Sequence, residues 1–212
     1  MTSVKKGAAF FDFDGTITFK DSFLEFIKYT VGFPRLCLGI LYNLPFICLF
    51  YLKMYPNQKL KERFFSFFYE GTSEVELEKE GDSFGKSVIP GLCFKSALDV
   101  IAWHKQQGHD IYLLTASSKI WLNEWCRIND IRLIATEFEV IDGRYTGMIK
   151  GKNCYGEEKF NRIQVLLESY DFSETYGYGD RASDKFYLTR LNRYFLMPLN
   201  KKNVTQLGLP SN

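Results

Sequence analysis

Two aspartates separated by one residue, Asp12 and Asp14, close a short apolar run and lead into Gly15-Thr16-Ile17-Thr18. Further along lie Thr115, Lys159, Asp180 and Asp184, each where an apolar run ends or a helix-compatible stretch begins. Carboxylates two apart at a strand end, joined by a third from another loop, make a hard-oxygen site suited to Mg²⁺. That ion keeps several waters and binds through one or two carboxylates plus a phosphate. It lets an anionic Asp12 approach an anionic substrate. Thr115, backbone N–H groups beside Gly15 and the ammonium of Lys159 suit the phosphate oxygens. The chemistry such a set can support is phosphomonoester hydrolysis, which needs acceleration of up to about 10²¹-fold over water and therefore a placed nucleophile and a neutralised phosphoryl group. An Asp-x-Asp pair alone carries little weight, because acids at a turn commonly cap or face solvent. Lys159 alone reads as a surface lysine and Thr115 as a strand-end cap. Their order relative to the acids is what joins them.

The elements that must position these groups are legible as alternating apolar runs and helical stretches. The run after Gly7 suits a buried parallel strand, as do residues 110–115, 174–179 and 193–197. Helices are predicted over 94–107, stopped by Gly108, and over 157–169. Strands separated by helices predict a parallel sheet covered on both faces, with ligands at the carboxyl ends of the strands. Residues 137–141 and 144–149 flank Asp142-Gly143, a hairpin signal. Residues 19–89 are too many for a bare connection and predict a helical cap inserted into a core made of 1–18 and 90–212.

The chain has 212 residues, is 46% hydrophobic and carries a formal net charge of +2 from 27 basic and 25 acidic residues spread along it. That supports a packed core and gives no field directed at nucleic acid. Five cysteines without metal-ligand spacing predict reduced, buried thiols in a cytoplasmic protein, and the N-terminus lacks the layout of an export signal. His104 and His109 flank a predicted helix end and are expected at the surface, facing the helix dipole.

Phe11-Asp12-Phe13-Asp14-Gly15-Thr16, Leu113-Leu114-Thr115-Ala116-Ser117, Lys159 and Gly179-Asp180-Arg181-Ala182-Ser183-Asp184 resemble, in order, the four motifs of the haloacid dehalogenase superfamily. The resemblance implies an α/β, Rossmann-like three-layer core with an inserted helical cap. It implies that Asp12 attacks phosphorus to give an aspartyl phosphate and that Asp14 protonates the leaving alcohol, then deprotonates water. It also implies Mg²⁺ held by Asp12, the backbone carbonyl of Asp14 and Asp180, phosphate contacts from Thr115 and Lys159, and Asp184 behind them. The insertion and residues 153–159 look like the phosphoserine-phosphatase-like branch. There, Asp21 and Arg63 stand roughly where relatives grip an amino acid. Tyr155 replaces a common lysine and Ser183 a common asparagine, so the substrate stays open among small phosphorylated metabolites, phosphoserine and phospholipid head groups. Transfer of the phosphoryl group to an alcohol would use the same residues.

Residues 36–52 contain no charge and lie between Arg35 and Lys53. Gly39, Asn43 and Pro45 interrupt the segment, which argues against one straight transmembrane pass and for a hydrophobic helical hairpin packed inside the cap. The alternative is an interfacial anchor at the inner face of a membrane. That alternative matches a further resemblance to the phosphatidylglycerophosphatase C group, whose caps also carry an apolar segment.

Overall fold

A computed structural model describes residues 6–206 and residue 208. The apolar run after Gly7 forms β1 (Ala8–Phe11), followed by α1 (Ser22–Val31), α2 (Phe33–Tyr51), α3 (Asn57–Tyr69), α4 (Glu74–Ser87) and a single turn, α5 (Ile89–Leu92). Next come α6 (Lys95–Gln106), β2 (Asp110–Ser118), α7 (Lys119–Ile128), β3 (Arg132–Thr136), β4 (Phe138–Ile141) and β5 (Arg144–Ile149). The order ends with α8 (Glu157–Ser169), β6 (Thr175–Gly179), a 3₁₀ turn at Ala182–Asp184, α9 (Lys185–Leu188), β7 (Arg193–Leu196) and α10 (Lys201–Gln206). Five parallel strands stand in the order β3-β2-β1-β6-β7. The chain leaves central β1 to one side and returns to the other, which opens a crevice at the carboxyl ends of β1 and β6.

Alternation along β1 builds the two outer layers. Ala9 and Phe11 face one apolar cluster with Val100, Ile101 and Trp121, while Ala8 and Phe10 face another with Ile163, Tyr187 and Leu188. Phe11 stacks on Tyr178 at 4.5 Å between ring centroids, and Phe10 on Tyr112 at 4.9 Å. The result is a three-layer α/β fold. β3 has no counterpart in the sequence reading: it is a five-residue edge strand opening on exposed Arg132, whose guanidinium bonds Asp110 and Tyr112. β2 runs on to Ser118, past the expected end at Thr115.

Helices α1 to α4 cover the carboxyl edge of the sheet, and the β4–β5 hairpin joins them. Gly71 N–H donates to Tyr145 O at 2.8 Å and Glu74 N–H to Gly143 O at 2.9 Å, while Phe65 stacks on Phe138. Asp142 and Gly143 both take positive φ, as a two-residue hairpin turn requires. α4 lies directly on α7, where a Cβ at Gly81 would fall 1.9 Å from Ile120 O.

Three expectations are corrected. Residues 36–52 form no hairpin packed inside the cap; all but the capping Leu52 belong to α2, one helix that continues through Pro45 and buries only Leu36, Gly39 and Asn43. Gly39 is the close contact, since a Cβ there would meet Phe68 at 2.1 Å, and Asn43 Nδ2 donates to Gly39 O. Cys37 and Cys48 ride on this exposed helix, whereas Cys126 and Cys154 are buried; all five thiols are free. His104 is fully buried, with Nε2 2.8 Å from Tyr178 Oη and Nδ1 2.8 Å from His109 Nδ1. Burial, aided by His109, pushes its pKa down to about 3.

Candidate active site

Asp12 leaves β1 one residue beyond Phe11, its N–H donating to Tyr178 O at 2.8 Å, so the sheet ladder itself fixes where the carboxylate stands. Asp180 follows the last residue of adjacent β6. Lys159, in the first turn of α8, donates to Asp12 Oδ1 and Asp184 Oδ1, both at 2.7 Å. Arg181 N–H donates to Asp184 Oδ2 at 3.0 Å. Carboxylate oxygens of Asp12, Asp180 and Asp184 lie within 4.8 Å of one another. Gly15, at φ +87°, permits this approach: a Cβ there would sit 2.4 Å from Asp180 Oδ2.

Burial pushes the Asp12 carboxyl up to about 7 against the pull of Lys159, with Asp184 adding to the rise. Burial disfavours the ammonium of Lys159, yet Asp12 and Asp184 together hold its pKa above the ordinary lysine value. Asp180 is raised by burial and drawn back by Arg181. Asp14 points elsewhere. Its carboxylate accepts from Ser22 N–H, at the start of α1, at 2.6 Å and from the Ser117 hydroxyl. Burial and the charge of Asp21 raise it to about 6, with the Ser117 and Ser22 bonds opposing. Thr115 is buried and its Oγ1 accepts from Ser117 N–H at 3.0 Å, which shapes the turn after β2 beside these groups.

The haloacid dehalogenase-like hydrolase family model matches residues 9–187, a span that contains every one of these side chains. The chain belongs to this family. Protein CicA of Caulobacter vibrioides is 31% identical over 176 residues, covering 82% of this chain and 78% of its own length. A probable phosphatase of Mycobacterium tuberculosis is 29% identical over 188 residues, covering 84% of this chain and 63% of its own. A protein of unknown function from Bordetella pertussis Tohama I superposes with a TM-score of 0.79 at 25% identity, over 97% of both chains. A phosphoserine phosphatase carrying a phospho-aspartyl intermediate analogue superposes at 0.60 and 14% identity, over 96% of this chain and 99% of that one. At that identity the likeness is one of fold.

Asp12, Asp14, Thr115 and Lys159 line a cavity of about 130 Å³. The hydrolase fold brings two further cations to it that sequence reasoning missed, Lys61 from α3 and Arg181. Of the two cap residues expected there, Asp21 sits at the rim, where its carboxylate caps α1 by accepting from Leu24 N–H at 3.1 Å. Arg63 is elsewhere: its guanidinium lies 3.7 Å from the centroid of the Phe46 ring on α2. Ser22 and Ser117 were also missed, being hydroxyls without a marking pattern. A larger groove of about 820 Å³, between α4, α7 and the hairpin, contains none of the expected residues.

Proposed function

We propose that the phosphatase chemistry of this chain passes through a phosphoryl group carried on Asp12, with Asp14 as acid and then base and Mg²⁺ as cofactor. The observation that carries this reading is the different treatment of two carboxylates two residues apart. Asp12 is held by an ammonium among other acids, as a nucleophile facing an anion needs, while Asp14 is held by Ser22 and Ser117 with a pKa raised to about 6. A carboxyl so raised can carry a proton to the ester oxygen near neutral pH, whereas Asp12, which burial raises further to about 7, needs the charge of a bound divalent ion beside that of Lys159 to act as the anion.

The donor set fits a hard divalent cation, given the clustered oxygens and the space kept open by Gly15. Asp184 already uses both oxygens on Lys159 and Arg181, so the proposed ligands are Asp12, Asp180 and the backbone carbonyl of Asp14. When bound, Mg²⁺ supplies positive charge that offsets repulsion between phosphate and carboxylate. Asp12 forms a bond to phosphorus as the ester P–O bond breaks, and Asp14 gives its proton to the departing alkoxide. Asp14 then takes a proton from water, whose oxygen attacks the aspartyl phosphate, releases inorganic phosphate and restores Asp12. Lys159 and Thr115 hold the phosphate oxygens. Acid quenching during turnover should leave one phosphoryl group on Asp12, read by peptide mass. Asp12→Asn should show neither the adduct nor a tenth of the phosphate release, and chelation should stop turnover until Mg²⁺ returns. Turnover without an adduct would reject the covalent route. Added alcohols that accept the phosphoryl group would instead indicate a transferase.

A second reading, in which the phosphomonoester is borne on a phospholipid such as phosphatidylglycerophosphate, is favoured by α2. This helix is long and apolar enough to cross a membrane by length and composition, with 17% of its apolar window buried. Leu38 and Leu41 are 61% and 66% exposed. Lying at an interface, such a helix would carry the mouth of the site to the lipid. The protein should then float with anionic vesicles, and Leu38→Lys with Leu41→Lys should release it. Wild-type protein that stays with the soluble fraction would count against this reading.

A further inference from the structure

Asp14 stands at the end of a line of hydrogen bonds that begins outside the cavity, where the cap packs on the core. Trp121 Nε1, on α7, donates to Ser22 Oγ, on α1, at 3.0 Å. Ser22 Oγ lies 3.0 Å from Ser117 Oγ, and the Ser117 hydroxyl donates to Asp14 Oδ2. Trp121 and Ser22 are fully buried and Ser117 nearly so, which keeps bulk water from competing at the far end of the line.

The direction of the line is set by the indole. Its N–H can only donate, so Ser22 Oγ accepts there and turns its own hydrogen toward Ser117 and Asp14. Ser117, accepting from Ser22, then has its hydrogen committed to Asp14 Oδ2. Asp14 Oδ1 accepts from Ser22 N–H at 2.6 Å, so each oxygen of the acid is held by a separate donor and the plane of the carboxyl is fixed. Hydrogen bonds aligned in a low-dielectric interior also strengthen one another. Without the indole, Ser22 Oγ is free to accept from Ser117 instead, and the hydrogen that holds Asp14 Oδ2 turns away.

Packing does not account for the nitrogen of this ring. Trp121 stacks on Phe23 and Phe26 of α1, with ring centroids 5.3 Å and 5.1 Å away. A phenylalanine could make both contacts, whereas only the indole supplies a donor to Ser22.

We infer that Trp121 is a positioning residue for proton transfer: acting through Ser22 and Ser117, it holds Asp14 in the orientation that hands its proton to the leaving oxygen. The inference rests on the phosphatase reading and extends it to a residue outside the cavity.

The signature of a misplaced acid is dependence on the leaving group. p-Nitrophenolate departs without a proton and the alkoxide of glycerol 3-phosphate does not, so the orientation of Asp14 matters to the second ester alone. Read as kcat/KM for phosphate release with Mg²⁺, the comparison reports transfer to Asp12 and leaves out the later attack of water. Trp121→Phe should lower kcat/KM about tenfold on glycerol 3-phosphate and by less than about threefold on p-nitrophenyl phosphate. Ser117→Ala should show the same selectivity, and Ser117→Thr, which keeps the hydroxyl, should recover most of the loss. Adding Trp121→Phe to Ser117→Ala should cost less than about twofold more, because both substitutions break one line.

Equal losses on the two esters would give Trp121 a structural role and overturn the inference. Full activity on both esters overturns it as well, and so do losses from Trp121→Phe and Ser117→Ala that multiply. Should Trp121→Phe fail to fold, as read by a thermal melt, Ser22→Ala breaks the same line while keeping the backbone N–H on Asp14, and the same outcomes decide. No phosphate release from either ester by the wild type would remove the phosphatase reading itself, a result distinct from release without dependence on the leaving group.

Discussion

Two uncharged stretches of this chain have opposite fates. All four residues of β1 are fully buried, whereas α2, with nineteen residues and no charge beyond Arg35, buries three. Composition does not separate them. β1 has a strand on each side and a helical layer on each face, so each side chain meets a partner. α2 has α1 and α3 along one flank only, reached through Leu36, Gly39 and Asn43. Burial is decided by how many neighbours the topology supplies, and the element at the centre of the sheet receives them from every direction.

The contrast can be broken or sharpened by experiment. The largest effect is expected where the buried strand delivers its acids: Asp14→Asn should lower kcat by about 10²- to 10⁴-fold with the fold retained, as read by steady-state phosphate release alongside a thermal melt. A rate within a few fold of the wild type would strip Asp14 of its role. Next come paired truncations. Phe10→Ala in β1 should cost about 3–5 kcal/mol by chemical denaturation, and Leu41→Ala on α2 should change stability by about 0.5 kcal/mol or less. Equal losses at the two positions would mean that α2 is covered in solution and that the comparison is wrong.

The smallest effect concerns acid. His104 lies edge-on to Phe11 and its pKa is pushed down to about 3 from 6.5, so between those values the unfolded chain binds more protons than the folded one. Its contribution to stability is fully present above about pH 6.5 and is lost as pH falls through that window. The melting temperature should drop on going from about pH 7 to about pH 5, and less steeply in His104→Gln, which keeps a polar partner for Tyr178 but does not titrate there. Parallel slopes would show that His104 charges without penalty. The imidazole faces His109, Trp103, Tyr176 and Tyr178, none of which is an acid able to compensate its charge.

Much of this architecture was readable before any coordinates, for reasons visible residue by residue. The strands after Gly7 and at 174–179, the helix over 157–169 and the hairpin at Asp142-Gly143 have a clear period and clear punctuation. β3 was missed because a short edge strand opening on arginine shows neither an apolar run nor a clean alternation. The acids, Thr115 and Lys159 were found through their order along the chain, and the structure brings them together. Lys61 and Arg63 show where that method stops. Two residues apart on one helix, they point roughly 200° away from each other, so only one can face the cavity. Choosing between them requires the rotation of α3 about its axis. Lys61 shares a face with Asn57, four residues back, and Arg63 shares one with the rings of α2. The exposure of α2 was hidden for a related reason, because an apolar sequence does not state which neighbours it lacks.

The glycine contact between α4 and α7 limits how an ester can reach the acids. With Gly81 against Ile120 O, main chain meets main chain, and the Lys86–Glu124 ion pair at 2.9 Å ties the same two helices further along. That end of the lid is fastened by backbone contact. The opposite end is a hasp: Asn153 joins Asn57, Gln58 and Lys61 through hydrogen bonds that water can take over one by one. Were the lid to lift for an ester to enter, the α3 side, held by these side-chain hydrogen bonds, would be the side to part.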